Sequence, residues 1–220
     1  MIKLVIDNLR PSSFAHRFIF ICQRADVSSY GLVDKFSRWA PNSSLVEIDG
    51  LTEGAVCTAL AARDLINNDS ALIIANSDQY VDVVIDDYLA TLEERYLDAS
   101  IITMKANDPK WSFVELAKDG NVSKVVEKEP ISDEATVGIY SFRRGSDFVR
   151  AADAMIKKDL RVNGEFYVAP TYNQLIAEGL RIGIHNVGSV GDGMYGLGTP
   201  ADLEEFLNLP LSHRLTQLAT

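Results

Sequence analysis

Ala71-Leu72-Ile73-Ile74-Ala75-Asn76-Ser77-Asp78-Gln79-Tyr80 decides how the chain is read. An apolar run passes directly into Asn, Ser, Asp and Gln. Short apolar runs of this kind read as strands buried on both faces, as in a parallel sheet. The polar end then lies at the carboxyl edge of the sheet, where open α/β sheets bind ligands. Asp78 is the leading candidate site residue, because a carboxylate fixed at a strand end can hold a divalent cation against phosphate oxygens. A turn or a helix cap is the competing role for an Asp in this position.

The rest of the first half alternates. Met1–Leu9 reads as a short amphipathic helix, Arg17–Cys22 as a strand and Ser28–Trp39 as a helix ended by Pro41-Asn42-Ser43. Ser44–Ile48 is a second strand, and Ala55–Ile66 an alanine-rich helix. Such alternation argues for a parallel sheet with crossover helices. Ile85–Tyr96 is a further helix and Ala99–Lys105 a further strand.

The rhythm then changes. Trp111–Leu116, Val122–Lys128 and Thr136–Phe142 are strand-like with no long helix between them, and Lys118-Asp119-Gly120-Asn121 is a hairpin turn signal. This predicts an antiparallel extension of the sheet. Ser146–Lys158 reads as a helix capped by Ser146, and Phe166–Glu178 as a helix ended by Gly179. Arg181–Val187 is a strand. Pro200–Leu207 is a helix with Thr199 as N-cap. The expectation is one α/β domain over 1–220 with a Rossmann-like, mixed, mostly parallel sheet flanked by helices.

Composition narrows the function. Twenty-one basic residues against 31 acidic ones give a net charge of −10, which argues against nucleic-acid binding. No apolar run is long enough to span a bilayer, and no export signal is visible at Met1–Asp7, so a cytoplasmic location is expected. Cys22 and Cys57 lie in apolar patterns and read as reduced core thiols.

Six short motifs fall in a fixed order: Thr52-Glu53-Gly54-Ala55, Asn76-Ser77-Asp78, Val126-Glu127-Lys128-Glu129-Pro130, Thr136-Val137-Gly138-Ile139-Tyr140, Asn163-Gly164-Glu165-Phe166 and Gly198-Thr199-Pro200-Ala201-Asp202-Leu203. The series resembles the sugar-phosphate nucleotidyltransferases, the family of glucose-1-phosphate thymidylyltransferase. The resemblance implies transfer of a nucleoside monophosphate from an NTP, with CTP or dTTP as candidates, to a sugar phosphate or another small phosphorylated acceptor. Pyrophosphate is released, Mg2+ is the cofactor, and surface polysaccharide is the destination.

By the same resemblance, Asp78 holds magnesium and Lys128 meets the acceptor phosphate, the two forming the catalytic pair. Thr52, Glu53, Gly54, Asn76 and Ser77 face the nucleotide. Glu127, Gly138 and Glu165 lie beside the acceptor, so that 1–105 is the nucleotide half and 106–220 the acceptor half. Each position has a plainer reading: outward residues of an edge strand for Glu127 and Lys128, a helix entry for Gly54, relief of crowding for Gly138, and a first-turn acid for Glu165.

Two departures from the family stand out. The family opens with a strand and a Gly-rich, Arg-containing loop leading to Lys-Pro, whose amides cradle the triphosphate. About 25 to 30 residues of that kind, the length of a strand-loop unit, are not found ahead of the first helix. Their lack predicts weak or no turnover and a groove with unpaired backbone groups in mid-sheet, with three expectations open: another segment fills it, a second chain such as a homodimer partner fills it, or the chain is truncated and its true start lies upstream. The second departure is Gly196, where the family carries a metal-binding aspartate. Asp192 is the nearby substitute. Two other function classes remain open: a non-catalytic binding or regulatory protein acting by association, and a sugar-transferring enzyme, for which Asp78 and Asp82 are spaced too widely.

Overall fold

The computed structural model describes residues 1–218. Helix α1 (Ile2–Asn8) leads to β1 (Ile19–Gln23), α2 (Arg24–Tyr30), α3 (Leu32–Trp39) and β2 (Ser44–Ile48). Then come α4 (Ala55–Leu60), α5 (Arg63–Ile66), β3 (Leu72–Ala75), β4 (Gln79–Val81), α6 (Ile85–Glu94) and β5 (Ala99–Lys105). The hairpin strands β6 (Ser112–Leu116) and β7 (Val122–Glu127) are followed by β8 (Glu134–Phe142) and α7 (Gly145–Lys157). A 3-10 turn at Ala169–Thr171 precedes α8 (Tyr172–Ala177), β9 (Ile182–Val190), β10 (Gly193–Gly196), α9 (Pro200–Leu207) and α10 (Pro210–Leu218).

An eight-stranded sheet runs β4-β10-β9-β5-β8-β6-β7, with β3 on the free side of one end of β8. Strands β3, β5, β6, β9 and β10 point one way, and β4, β7 and β8 the other. The expected mixed α/β sheet with an antiparallel region is therefore present. Strand β8 is its centre: all nine of its residues are buried. Midway along it the register against β5 shifts, and Gly138 takes a φ of 77° there. That left-handed conformation suits glycine at a bulge.

Strands β1 and β2 pair parallel to each other and form a sheet of their own. β3 pairs antiparallel with β8 and with no other described strand. Among the described strands, β1 and β3 each keep an unpaired edge. Consequently the four residues of β3 are half-buried rather than enclosed on both faces. Among the described strands, no ladder joins the two sheets. Ile19 and Ile21 of β1, with Leu72 and Ile74 of β3, rest on the apolar core formed by α4, α7, α8 and β8. On the other face, α1 clusters with Phe20 through Ile6 and exchanges two hydrogen bonds with Val81 through Asn8.

Several boundaries differ from the sequence reading for local reasons. Gly31, at φ 57°, splits the helix expected over 28–39 into α2 and α3. The helix expected over 55–66 is likewise two pieces, parted at Ala61 and Ala62. Ser146 does not cap α7; Arg144 holds the N-cap position, and the Ser146 amide donates to Asn68 O at 2.9 Å. The helix expected from Phe166 starts only at Tyr172, since Pro170 sits in a 3-10 turn and Phe166–Val168 is tied elsewhere. Thr199 does cap α9, its hydroxyl accepting from the Asp202 amide at 3.2 Å. The short strands β4 and β10 and the helix α10 carry no apolar pattern long enough to announce them.

Candidate functional site

Three chain segments meet beside the carboxyl end of β1. The loop Thr52–Gly54 is stitched to Phe166 by two backbone bonds: Phe166 N donates to Glu53 O at 2.9 Å, and Val56 N donates to Phe166 O at 3.1 Å. Close approach requires glycine at 54. Its φ is 121°, and a β-carbon there would lie 2.6 Å from Phe166 N and O. Glu53 does not face the cavity's floor as a free acid, because Arg161 engages its carboxylate. The Thr52 hydroxyl is held by Thr58 Oγ1 at 2.6 Å and Gly54 O at 3.0 Å.

The resulting cavity has a volume of about 540 Å3 and is lined by Ile21, Gln23, Thr52, Gly54, Thr58 and Glu165 among others. Residues expected on the nucleotide side and one expected on the acceptor side thus share one hollow. Cys22 is also on its wall. Both cysteines are free and half-buried, and burial pushes both thiols up.

Glu127 and Lys128 extend this site from the end of β7. Glu127 is buried on the sheet face and receives a short hydrogen bond from the Ser112 hydroxyl on β6. Burial raises its carboxyl above the ordinary range, against the opposing pull of Ser112 and the Lys128 charge; Glu165 adds to the rise. Lys128 is exposed and adopts a φ of 59°, which is uncommon outside glycine. Its amide prolongs the hairpin ladder by donating to Trp111 O at 2.9 Å. Its ammonium donates to Tyr167 Oη at 2.7 Å, and that bond, with Glu127 and Glu165, lifts its pKa. Below Glu127, the Tyr140 phenol bonds Thr136 at 3.0 Å and is pushed up to about 12 by burial.

Asp78 is exposed just beyond β3. Its carbonyl accepts from Leu197 N at 2.7 Å, and a β-carbon on Gly198 would fall 2.5 Å from its Oδ2. The Gly196–Gly198 segment therefore makes room for that carboxylate. Ser77 is exposed beside it, and the Asn76 side chain fills the space above Gly138, so this glycine serves Asn76 first.

Asp192 is not brought to Asp78. It precedes β10, whose Gly193 O accepts from Asp82 N, whereas Asp78 faces Leu197 beyond the strand's other end. Four residues of extended chain, about 13 Å, separate those two levels. The Gly196 position faces Asp202 instead, whose carboxylate accepts from Thr199 Oγ1 at 2.7 Å. Among the described residues, no group of three or more His, Cys, Asp or Glu could by itself hold a metal. Asp78 alone still fits magnesium, which is commonly bound through one or two carboxylates plus substrate phosphates.

Tyr167 and Ser112 were not legible as site residues. Tyr167 fell in an expected helix, and Ser112 was one small polar residue in a strand.

No family profile and no curated protein matches the chain. Among solved structures, the nucleoside-diphosphate-sugar pyrophosphorylase from Vibrio cholerae RC9 superposes with a TM-score of 0.77 at 22% identity, covering 94% of this chain and 85% of its own. A Bacillus anthracis protein described as a glucose-1-phosphate thymidylyltransferase, solved with a sucrose, gives 0.61 at 17% identity, covering 85% and 73%. The chain has the mixed α/β fold of these sugar-nucleotide enzymes.

Proposed function

We propose that this chain binds an NTP and a small phosphorylated acceptor and is built for nucleotidyl transfer between them. One observation carries the reading: the Thr52–Gly54 loop and Glu165 line one cavity, and the charge of Glu165 reaches Glu127 and Lys128 at the neighbouring strand end, on a fold shared with sugar-nucleotide enzymes. An oxygen of the acceptor phosphate attacks the α-phosphorus in line. The new P–O bond forms as the bond to the β-phosphate bridging oxygen breaks, and pyrophosphate leaves with that electron pair. Lys128 offsets charge on the acceptor phosphate, and buried Glu127 and exposed Glu165 accept from its hydroxyls. Asp78 would hold magnesium, which neutralises phosphate charge when bound. Thr52 and Gly54, on the cavity wall, are the residues proposed to meet the base, and Asn76 and Ser77 precede Asp78.

CTP or dTTP is the nucleotide to test first. A coupled assay for pyrophosphate, with four NTPs against a panel of phosphorylated acceptors, tests the reading. Release that depends on one NTP, one acceptor and magnesium supports it. Consumption of a sugar nucleotide without NTP contradicts it.

A second reading is favoured by the unpaired edges of β1 and β3, which invite strand association. In that reading the chain binds the same ligands and acts through a partner or a homodimer. Tight NTP binding with no pyrophosphate from any pair distinguishes it.

A further inference from the structure

Lys128 is held in a backbone conformation that lysine rarely adopts, and its amine is aimed at one group. The φ of 59° at a non-glycine residue is strained and persists only where the surroundings impose it. The surroundings do so from both ends: the amide is fixed by Trp111 O, and the ammonium by Tyr167 Oη at 2.7 Å. Lys128 is exposed and Tyr167 half-buried. A pair this open contributes little to folding. Its value lies in where it holds the charge.

Tyr167 is itself well anchored. Phe166, the residue before it, is buried and locked to the Thr52–Gly54 loop through Glu53 O and Val56 N. Val168, the residue after it, is buried and receives both the Thr171 amide at 3.0 Å and the Thr171 hydroxyl at 2.6 Å. The phenol therefore projects from a pinned backbone. It accepts from Lys128 through one lone pair. The carboxylates of Glu127 and Glu165 both act on the Lys128 charge, and neither makes the hydrogen bond that Tyr167 makes.

We infer that Tyr167 is a positioning residue, which fixes the Lys128 ammonium where it meets the acceptor phosphate and ties that point to the Thr52–Gly54 loop. This rests on the reading of Lys128 as the phosphate-binding residue. Tyr167→Phe removes the hydroxyl and keeps the ring, so the anchored segment stays in place. Loss of one exposed, charge-assisted hydrogen bond that positions the ammonium predicts about a fivefold weaker site.

The test titrates inorganic phosphate into four proteins: wild type, Lys128→Met, Tyr167→Phe and the double variant. The 15Nζ resonance of Lys128 is followed in 15N-lysine-labelled wild type and Tyr167→Phe. The expected results are at least tenfold weaker phosphate binding in Lys128→Met and about fivefold weaker binding in Tyr167→Phe. The double variant should be no weaker than Lys128→Met alone, and the Lys128 resonance should move in Tyr167→Phe before phosphate is added. Wild-type affinity in Tyr167→Phe overturns the positioning role and leaves the proposed function standing. So does an equal loss in both lysine backgrounds, or a Lys128 resonance that does not move. Wild-type affinity in Lys128→Met, or no phosphate binding by any of the four, overturns the reading of Lys128 and the inference with it.

Discussion

Gly198 and Asp78 are in contact: a β-carbon at 198 would fall 2.5 Å from the Asp78 Oδ2 and 3.2 Å from its Cγ. The atom in the way is the free end of an exposed side chain, so alanine at 198 is accommodated by moving the carboxylate. Gly198→Ala should leave the melting temperature within a degree or two of wild type. Magnesium-dependent pyrophosphate release should fall by tenfold or more. Equal activity in the two proteins would show that the Asp78 carboxylate is free to work from elsewhere.

Gly54 gives the opposite balance. A side chain there meets backbone, Phe166 N and O at 2.6 Å, and must also adopt a φ of 121°. Gly54→Ala should cost at least about 2 kcal/mol, since both the strain and the two loop-to-Phe166 bonds are affected. Chemical denaturation measures this. A variant as stable as wild type would mean that the loop can detach without cost to the fold.

Glu127 makes stability depend on pH. Burial raises its folded pKa, so the protonated form is the one that folding favours. The associated stability is complete below the ordinary glutamate range and is lost as pH rises through the raised value. Glu127→Gln keeps an acceptor for Ser112 and cannot ionise. It should melt above wild type at pH 8, with the difference shrinking towards pH 4. A constant difference at both pH values would remove burial of charge as the cause.

Tyr88 and Tyr172 converge on one carbonyl. Both are fully buried, and their phenols donate to Ser100 O at 2.9 and 3.1 Å; Tyr88 also reaches Ser141 Oγ at 2.8 Å and Tyr172 reaches Ser141 O at 3.1 Å. Each Phe substitution should cost about 1 kcal/mol, or about 2–4 °C in a chain of this size. Because the acceptors are shared, the double variant should depart from the sum by at least 0.5 kcal/mol, in the way of coupled networks. Simple additivity would show that the two hydroxyls act separately.

How much of this was legible follows from where the determining contacts lie. Local signals carried far: Thr199 before Pro200 set the start of α9, and Lys118–Asn121 set a hairpin whose Ala117 N reaches Asn121 O at 2.8 Å. Glu127 and Lys128 were placed correctly at a strand end. The failures were tertiary. Phe166–Val168 has an apolar rhythm that reads as helix, yet the Phe166 amide donates to Glu53 O and its carbonyl accepts from Val56 N, more than 100 residues away in sequence. With that segment misread, Tyr167 had no visible role. Asp192 was close to Asp78's partner strand in sequence, but strand rise along β10 carries it to the other end. Such distances depend on register, which no local pattern encodes.

Pyrophosphate release from an NTP and a phosphorylated acceptor, measured with wild type, Asp78→Asn and Lys128→Met side by side, tests the central claim most directly. The account predicts magnesium-dependent release for one NTP–acceptor pair and its loss in both variants. No release from any pair, or release that both variants retain, would contradict it.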